Sequence, residues 1–460
     1  MITQATIYFY GGAGTVTGAN FLFEIMGKRI LIDCGILQGD PEAVAFNSAP
    51  FPYDPSKIDM LFITHAHADH IGRIPKLVRD GFNGVIYSTE PTRSISNIVL
   101  HDTVGLLLEQ SEVSGIDPIY TMEDVERTMQ LWKVESYHHA IDIAKDVVAT
   151  MHDAGHILGS AMIKFSYNGE NIVFTGDLGN SPSPILRDTE VITDADYLIM
   201  ESVYGDRNHE HRGTRSKFLE QTLQEVISRK GVVMIPMFAV ERTQEFLYEI
   251  NAMVESGHIS TSVPIYVDSP LAIHITEVYR RSTEYFNNTA KARIKSGDDI
   301  FNFPNLHMTE SVEASKGINE TPSPKIIMAG SGMLDGGRML HHLRRYISDP
   351  KNLLLFVGYQ AVGTLGRMIV DGARHITIAR EKHSVRAQIM TLTGYSGHKQ
   401  MDDLVEFVHN TQDRIKKVWC VMGEPSSSMF LAQRLRDYLG IKAFAPEADE
   451  VVHIELGSKS

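Results

Sequence analysis

Short apolar runs alternate with glycine-rich or polar turns along the N-terminal part of the chain, a pattern that predicts β-strands. The predicted strands lie at Ile7–Tyr10, Phe21–Ile25, Arg29–Ile32, Leu61–Thr64, Ile172–Thr175 and Tyr197–Met200. Helical spacing of apolar residues predicts helices at 74–78 and at about 89–103, and a helical insertion over about 104–135.

Longer helices separate the strands from about residue 209 onward. Helices are predicted at about 216–229 and 241–255, and strands at 232–236, 265–267, 326–329 and 353–357. Helical connections between successive strands predict a parallel sheet. Short strands return from about residue 375, followed by a helix and a last strand at 451–455. We therefore expect one α/β domain, 1–208 and 375–460, interrupted by a second α/β domain at 209–374.

Composition and charge restrict the function classes. The 460 residues are 43% hydrophobic and 22% charged, as in ordinary globular domains. The net charge of −14 argues against a general nucleic-acid coat protein, although it leaves room for a local basic cleft. Cys34 and Cys420 lie far apart, and no signal peptide or membrane-length apolar run is present. A cytoplasmic protein with reduced thiols and no membrane partner is expected.

The densest candidate chemistry is the segment Thr64-His-Ala-His-Ala-Asp-His70, directly after a predicted buried strand. His65 and His67 are two residues apart on an extended strand end, so both imidazoles point to the same side. Asp69 and His70 follow within one turn. Three imidazoles and a carboxylate form the nitrogen and oxygen ligand set that zinc prefers. The alternative is a histidine-rich surface turn, which the buried strand in front of it disfavours.

Further ligand candidates lie downstream, namely His156 in a glycine-containing turn, Asp177 just past an apolar strand, and His398 after Gly397. A carboxylate at a strand end is well placed to bridge two cations. Each of these residues alone would more often have a core or turn role. Their combination with the first cluster favours a two-metal site.

The motifs resemble those of the β-CASP ribonucleases of the metallo-β-lactamase superfamily. The histidine cluster at 64–70 indicates only the superfamily. The narrower resemblance rests on Glu201 in Glu-Ser-Val-Tyr-Gly, on His383 in Lys-His-Ser-Val, and on His398. A histidine at this last position resembles the branch that acts on RNA. Val203, Tyr395 and Gly397 differ from the residues frequent in the family, and none is a predicted ligand.

The resemblance implies a metallo-β-lactamase αββα sandwich interrupted by an inserted β-CASP domain with a mostly parallel sheet. It also implies two zinc ions. One is expected on His65, His67 and His156, and the other on Asp69, His70 and His398, with Asp177 bridging. Asp69 is further expected to orient the attacking water or to take its proton.

Two more roles follow from the resemblance. Glu201 is expected to hold a ligand histidine in place. His383 is expected to contact the scissile phosphate or to protonate the leaving oxygen. The alternative for His383, favoured by the residues alone, is a surface histidine beside Lys382 and Arg386.

Candidate phosphate contacts lie in the inserted domain. Arg242 follows a strand and could present its guanidinium to a phosphate, or it could pair with Glu241 or Glu245 on an exposed helix face. The turn Gly330-Ser331-Gly332-Met333 is expected to open a helix, so that its N–H groups would form an anion site. Close packing is the alternative role for such glycines.

The leading hypothesis is a zinc-dependent ribonuclease that hydrolyses single-stranded RNA with a hydroxide activated by two metal ions. An endonuclease is favoured over a 5′ exoribonuclease because the chain ends soon after His398. A non-nuclease metallohydrolase would not need Glu201, His383 and the turn at 330–333. A catalytically silent RNA-binding subunit would not need all seven ligands. Self-association into a homodimer is left open.

Overall fold

The computed structural model describes residues 3–39, 42–209, 215–358, 360 and 363–457. The chain forms two compact units. The first comprises Met1–Ser183, Arg187–Asn208 and Gly397–Ser460, and the second comprises Pro184–Leu186 and His209–Ser396. Among the helices in the described ranges, none has the length and apolar character needed to span a membrane.

The strands are numbered in chain order. The first eleven are β1 Thr3–Gly11, β2 Asn20–Ile25, β3 Lys28–Ile32, β4 Met60–Phe62, β5 Val85–Ser88, β6 Trp132–Val134, β7 Ile141–Ala144, β8 Val147–Asp153, β9 Ala161–Tyr167, β10 Glu170–Phe174 and β11 Tyr197–Glu201. The next eight are β12 Val232–Pro236, β13 Ile265–Asp268, β14 Leu306–Met308, β15 Lys325–Ala329, β16 Leu353–Phe356, β17 His375–Ile378, β18 Glu381–Ser384 and β19 Gln388–Thr391. The last are β20 Lys417–Val421, β21 Ala443–Phe444 and β22 Val451–Leu456.

The helices are numbered in the same way. Those of the first half are α1 Ala43–Ser48, α2 Ala68–Ile71, α3 Ile74–Arg79, α4 Glu90–Ser114, α5 Met122–Gln130, α6 Arg215–Ser228 and α7 Arg242–Glu255. Those of the second half are α8 Pro270–Arg281, α9 Asn288–Lys295, α10 Val312–Gly317, α11 Met339–Tyr346, α12 Leu365–Val370, α13 Met401–His409 and α14 Pro425–Leu439.

The first unit is an αββα sandwich of two seven-stranded sheets, with strand orders β22-β1-β2-β3-β4-β5-β6 and β21-β20-β11-β10-β9-β8-β7. Alternate residues of β1 are buried, which places one of its faces on the core between the sheets. In that core Phe23 lies 5.0 Å from Phe165 and 5.8 Å from Phe174, measured between ring centroids. Helices α13 and α14 pack on the outer face of the second sheet, and α4 contacts β6 of the first.

The second unit is built on a six-stranded sheet of order β14-β13-β15-β12-β16-β19, in which every neighbouring pair is parallel. Strands β12, β13, β15 and β16 are buried along their whole length. Such strands are typical of parallel sheets covered on both faces. The predicted parallel sheet is confirmed.

The second unit ends later in the chain than the sequence predicted. We expected it to end at residue 374, but β19 pairs in parallel with β16, and the compact unit therefore extends to Ser396. A short earlier segment also belongs to it, because Leu186 forms a bridge with Phe286. The limits of the second unit are set by pairing between strands distant in sequence, and sequence composition does not reveal such pairing.

Candidate metal centre

The histidine cluster lies where β4, an interior strand of the first sheet, ends. Strand β4 pairs in parallel with β3 and β5, so residues just after it emerge at the edge of the sheet where ligands commonly bind. His65 and His67 follow this strand in extended backbone. Asp69 and His70 lie on the single turn of α2, which redirects their side chains toward the same place.

Strand ends of the second sheet supply the other residues. Asp177 follows β10 and Glu201 ends β11, and these two strands are parallel neighbours. Their carboxylates therefore lie at the same edge. His156 follows β8, and His398 forms a bridge with Gly179, two residues beyond Asp177. All seven predicted ligands and Glu201 belong to the first unit.

Three histidines and Asp177 surround one point. His67 Nδ1 lies 3.1 Å from His65 Nε2 and 3.3 Å from His156 Nε2. Asp177 Oδ2 lies 3.4 Å from His65 Nε2 and 3.6 Å from His156 Nε2. Tetrahedral zinc with bonds of roughly 2.0–2.1 Å needs ligand atoms roughly 3.3 Å apart. The four atoms therefore fit a zinc-sized cation, and they form one of the groups able to hold a metal ion.

The electrostatics of these histidines suit metal ligation. Burial, followed by the positive charge of His65, holds the pKa of His67 well below its ordinary value. Burial, followed by His398, does the same to the pKa of His156. Both rings are therefore neutral near neutral pH, and a neutral imidazole is the form that binds metal.

A second group of atoms surrounds the Asp177 carboxylate, with His70 beside its other oxygen. His70 Nε2 lies 3.5 Å from Asp177 Oδ1 and 4.0 Å from Asp69 Oδ2, and His398 Nδ1 lies 3.9 Å from Asp177 Oδ2. Among the described residues, His70 Nε2 and Asp177 Oδ1 are buried without any hydrogen-bond partner. Two orphaned polar atoms facing each other are costly. A cation between them would remove that cost, so this group also fits a metal ion.

His70 is oriented by a residue that the sequence analysis missed. Asp33 Oδ2 lies 2.7 Å from His70 Nδ1 and accepts a hydrogen bond from Thr64 Oγ1 at 2.7 Å, while Asp33 Oδ1 accepts one from Thr64 N at 2.8 Å. The ring is held with Nε2 directed at Asp177, as is typical of metal-binding histidines. The sequence does hold one signal for Asp33. It directly follows an apolar strand, and Asp177 lies three residues after another.

Glu201 makes the corresponding contact with His398. The Glu201 carboxylate is fully buried, accepts a hydrogen bond from Leu178 N and lies 3.2 Å from His398 Nδ1. Burial lowers the pKa of His398, but the charge of Glu201 and its hydrogen bond outweigh this and raise the pKa to about 9. With Nδ1 held by Glu201, Nε2 is the nitrogen left for a metal. This geometry suits the expected positioning role of Glu201.

His383 belongs to the second unit. It lies on β18 opposite Ile376, and its side chain is 16% exposed. Its closest charged neighbour is Glu381, whose Oε2 lies 3.7 Å from His383 Nε2. Among the described residues this nitrogen is buried without a hydrogen-bond partner. His383 is therefore less exposed than the alternative, a surface histidine beside Lys382 and Arg386, would suggest.

The surroundings of Arg242 favour the ion-pair alternative to phosphate binding. Its side chain is only 10% exposed, so it does not lie on a solvent-exposed helix face. The guanidinium donates to the Glu245 carboxylate and to the carbonyl oxygen of Tyr395. Arg242 thus holds α7 to the segment before His398.

The anion site predicted at Gly330-Ser331-Gly332 requires a helix to begin at this turn, and no helix begins at these described residues. Helix α11 starts at Met339, and the intervening residues form a loop in which Ser331 N donates to Gly336 O. The expectation that this turn opens a helix is wrong. A Cβ atom on Gly332 would come within 2.8 Å of the Phe238 ring, so the absence of a side chain there serves close packing.

The fold and this centre define a metal-dependent hydrolase, and comparisons with known proteins specify its class. Three family models match the chain. They describe the metallo-beta-lactamase superfamily at residues 13–226, the Beta-Casp domain at 243–369, and a Zn-dependent metallo-hydrolase RNA specificity domain at 382–446.

Curated relatives agree over nearly the whole chain. "Ribonuclease TTHA0252" of Thermus thermophilus is 39% identical, over 93% of this chain and 95% of its own. "Transcription termination factor FttA" of Methanosarcina mazei is 31% identical, over 96% of this chain and 71% of its own. This chain belongs to the β-CASP ribonuclease family, and it is a metal-dependent nuclease.

A solved structure supports the fold alone. A protein of unknown function from Enterococcus faecalis superposes with a TM-score of 0.58 at 12% identity, and the match covers 98% of this chain and 100% of that one. The two chains therefore share an architecture over their whole length.

Proposed function

We propose that this protein is a zinc-dependent endoribonuclease that cuts single-stranded RNA. The observation that carries the proposal is the buried centre around Asp177. It gathers histidine and carboxylate atoms at metal-ligand spacing, in a chain whose C-terminal part matches an RNA specificity domain. Glu201, His383 and His398 resemble the motifs of the branch of the family that acts on RNA, and internal cleavage is proposed as the mode of action.

Two ions are assigned to the centre. His65, His67 and His156 would hold one, Asp69, His70 and His398 would hold the other, and Asp177 would be shared. When bound, such ions polarise a phosphoryl oxygen and lower the pKa of water at the site toward neutrality. The orphaned Asp177 Oδ1 and His70 Nε2 support the second position.

The side chains around the centre have separate tasks. Asp69 is the more exposed of the two aspartates among the assigned ligands, at 18% against 3% for Asp177, so it is the one able to orient a water and accept its proton. Asp33 and Glu201 hold His70 and His398. His383, with its unpartnered nitrogen, would contact the scissile phosphate or protonate the leaving oxygen.

Cleavage of end-defined RNA tests the proposal. Single-stranded RNAs with a 5′ hydroxyl, monophosphate or triphosphate end are incubated with the zinc-loaded protein, and the products are separated by length. Internal fragments from all three substrates are expected. Mononucleotides released only from the 5′-monophosphate RNA would instead establish a 5′ exoribonuclease.

Two variants give that experiment its controls. His398→Ala should lose cleavage together with part of the bound zinc. His383→Gln should lose cleavage with its zinc content unchanged, because it lies outside the proposed ligand set. If wild type and His398→Ala both left RNA intact, the nuclease assignment of this centre would be wrong.

The cellular setting is part of the proposal. Cys34 and Cys420 are both buried, and burial raises the pKa of each thiol to about 12. Thiols of this kind suit a reducing compartment, and we place the protein in the cytoplasm. A homodimer is proposed as its state in solution, and light scattering coupled to size-exclusion chromatography would measure it.

A further inference from the structure

A second cluster of histidine and carboxylate side chains lies in the first unit, apart from the centre around Asp177. It consists of His138, His152 and Glu190. His152 Nδ1 lies 2.8 Å from Glu190 Oε1, and His138 Nε2 lies 3.4 Å from Glu190 Oε2. The two imidazole rings stand edge to face with centroids 4.9 Å apart. One ligand atom from each residue lies within 4.8 Å of the others.

Main-chain hydrogen bonds hold the three segments in this arrangement. His138 N donates to Met151 O at 2.9 Å, which fixes the turn before β7 against β8 beside His152. Glu190 N donates to Asp153 O at 2.9 Å, which fixes the other segment against the end of the same strand. The backbone therefore needs no rearrangement to bring the ligands together, and only side-chain rotation would remain on binding.

The chemistry of the cluster selects the kind of ion. Two imidazoles with one carboxylate suit zinc and similar transition metals, whereas magnesium and calcium prefer oxygen ligands. The flanking charges balance, because Lys164 pairs with Asp194 and Arg187 pairs with Asp153. Glu190 thus contributes an additional negative charge that favours a cation.

We propose that His138, His152 and Glu190 form a third, separate binding site for a zinc-class divalent ion. The ligands are graded in exposure, with His152 at 9%, Glu190 at 31% and His138 at 60%. The site is therefore open to solvent on one side, where water completes the coordination. An open three-residue site exchanges its ion more readily than a closed four-residue one.

Occupancy of this site would stiffen the segment that carries His156. Thr189 Oγ1 donates to Ala154 O at 2.9 Å, and a Cβ atom on Gly155 would come within 2.6 Å of Thr189 N. The segment ending at Glu190 thus packs directly on the turn that presents His156. This consequence rests on the proposed ligand role of His156, whereas the binding site itself does not.

Equilibrium dialysis at a fixed concentration of free zinc tests the site, because it counts the zinc bound per chain without removing free metal. Glu190→Gln and His138→Gln should each hold one equivalent less than wild type. His139→Gln is the matched control, because this exposed neighbour pairs with Glu135 instead, and it should hold as much zinc as wild type. Circular dichroism melting of the metal-free proteins checks that each variant is folded.

The same pair of measurements in an Asp177→Asn background separates this inference from the proposed function. Loss of one further equivalent in Asp177→Asn/Glu190→Gln supports the third site whether or not the main centre binds zinc. If Glu190→Gln destabilises the fold, the solvent-exposed His138→Gln decides. The proposal would be overturned if folded His138→Gln bound as much zinc as its parent protein, either wild type or Asp177→Asn.

Discussion

Two buried aspartates, Asp177 in the first unit and Asp268 in the second, allow a proposed metal ligand to be compared with a structural carboxylate. Both lie at or just beyond the end of an apolar strand, and both are at most 3% exposed. Asp268 accepts hydrogen bonds from Thr309, Ser315, Arg338 and His342, so both of its oxygens are satisfied. Within the described ranges, Asp177 Oδ1 has no hydrogen-bond partner.

Hydrogen-bond satisfaction, rather than burial, therefore distinguishes the two aspartates. Hydrogen bonds to the charged form of Asp268 make its burial favourable for folding. Asp177 faces imidazole nitrogens at 3.4 to 3.6 Å, too far for good hydrogen bonds and right for ligands around a shared cation. Folding alone does not account for such an arrangement.

The largest expected effect is on activity. Replacing the shared ligand in Asp177→Asn should lower kcat/KM for RNA cleavage by at least about 1,000-fold, equivalent to about 4 kcal/mol of lost transition-state stabilisation. Circular dichroism of the metal-free variant checks that it is folded, because its electrostatic contacts with His65 and His70 are also weakened. A variant that cleaves at the wild-type rate would remove Asp177 from the proposed centre.

The opposite result is expected at Asp268. Asp268→Ala should lower the free energy of unfolding by about 3 kcal/mol, since it leaves buried His342 without its acceptor and the Arg338 guanidinium without its charged partner. Urea denaturation measures this, with Asp371→Ala as control, because the exposed pair of Asp371 with Arg367 contributes only about 0.5 kcal/mol. Zinc content of the folded variant should be unchanged. Equal stability of the two variants would contradict the comparison.

A smaller effect should follow from loosening the ligands without removing them. Asp33→Asn and Glu201→Gln keep the shape of each side chain but weaken its hold on His70 or His398. Each should reduce zinc affinity about 10- to 100-fold. Competition with a chromophoric chelator measures this. Unchanged affinity in both variants would show that these carboxylates have only a structural role.

The smallest effect concerns acid stability. Burial raises the pKa of Asp268, but hydrogen bonds from His342, Ser315, Arg338 and Thr309 outweigh it and lower the pKa from 3.8 to about 2. A folded pKa below the unfolded value means that the charged carboxylate stabilises the fold above pH 3.8 and loses this contribution between 3.8 and about 2. If Asp268→Asn folds, its free energy of unfolding should change less with pH in this window than that of wild type. An identical pH dependence would contradict this.

The comparison also explains what the sequence could predict. Asp177 could be predicted as a candidate ligand, because an apolar strand precedes it and the family resemblance implies a bridging role for it. Asp33 also follows an apolar strand, but its role depends on Thr64, 31 positions away, and on His70, 37 positions away. The pairing of β19 with β16 was missed for the same reason. Local pattern predicts an element, whereas its partners are set by the tertiary structure.

Anomalous diffraction at the zinc edge, from crystals of the zinc-loaded protein, tests the central claim most directly. Two peaks are expected beside Asp177, each within about 2.2 Å of one of its carboxylate oxygens, apart from any peak at the separate cluster of His138, His152 and Glu190. No peak is expected at Asp268, whose oxygens are already satisfied. Absence of density beside Asp177, or an ion bound to Asp268, would contradict the claim.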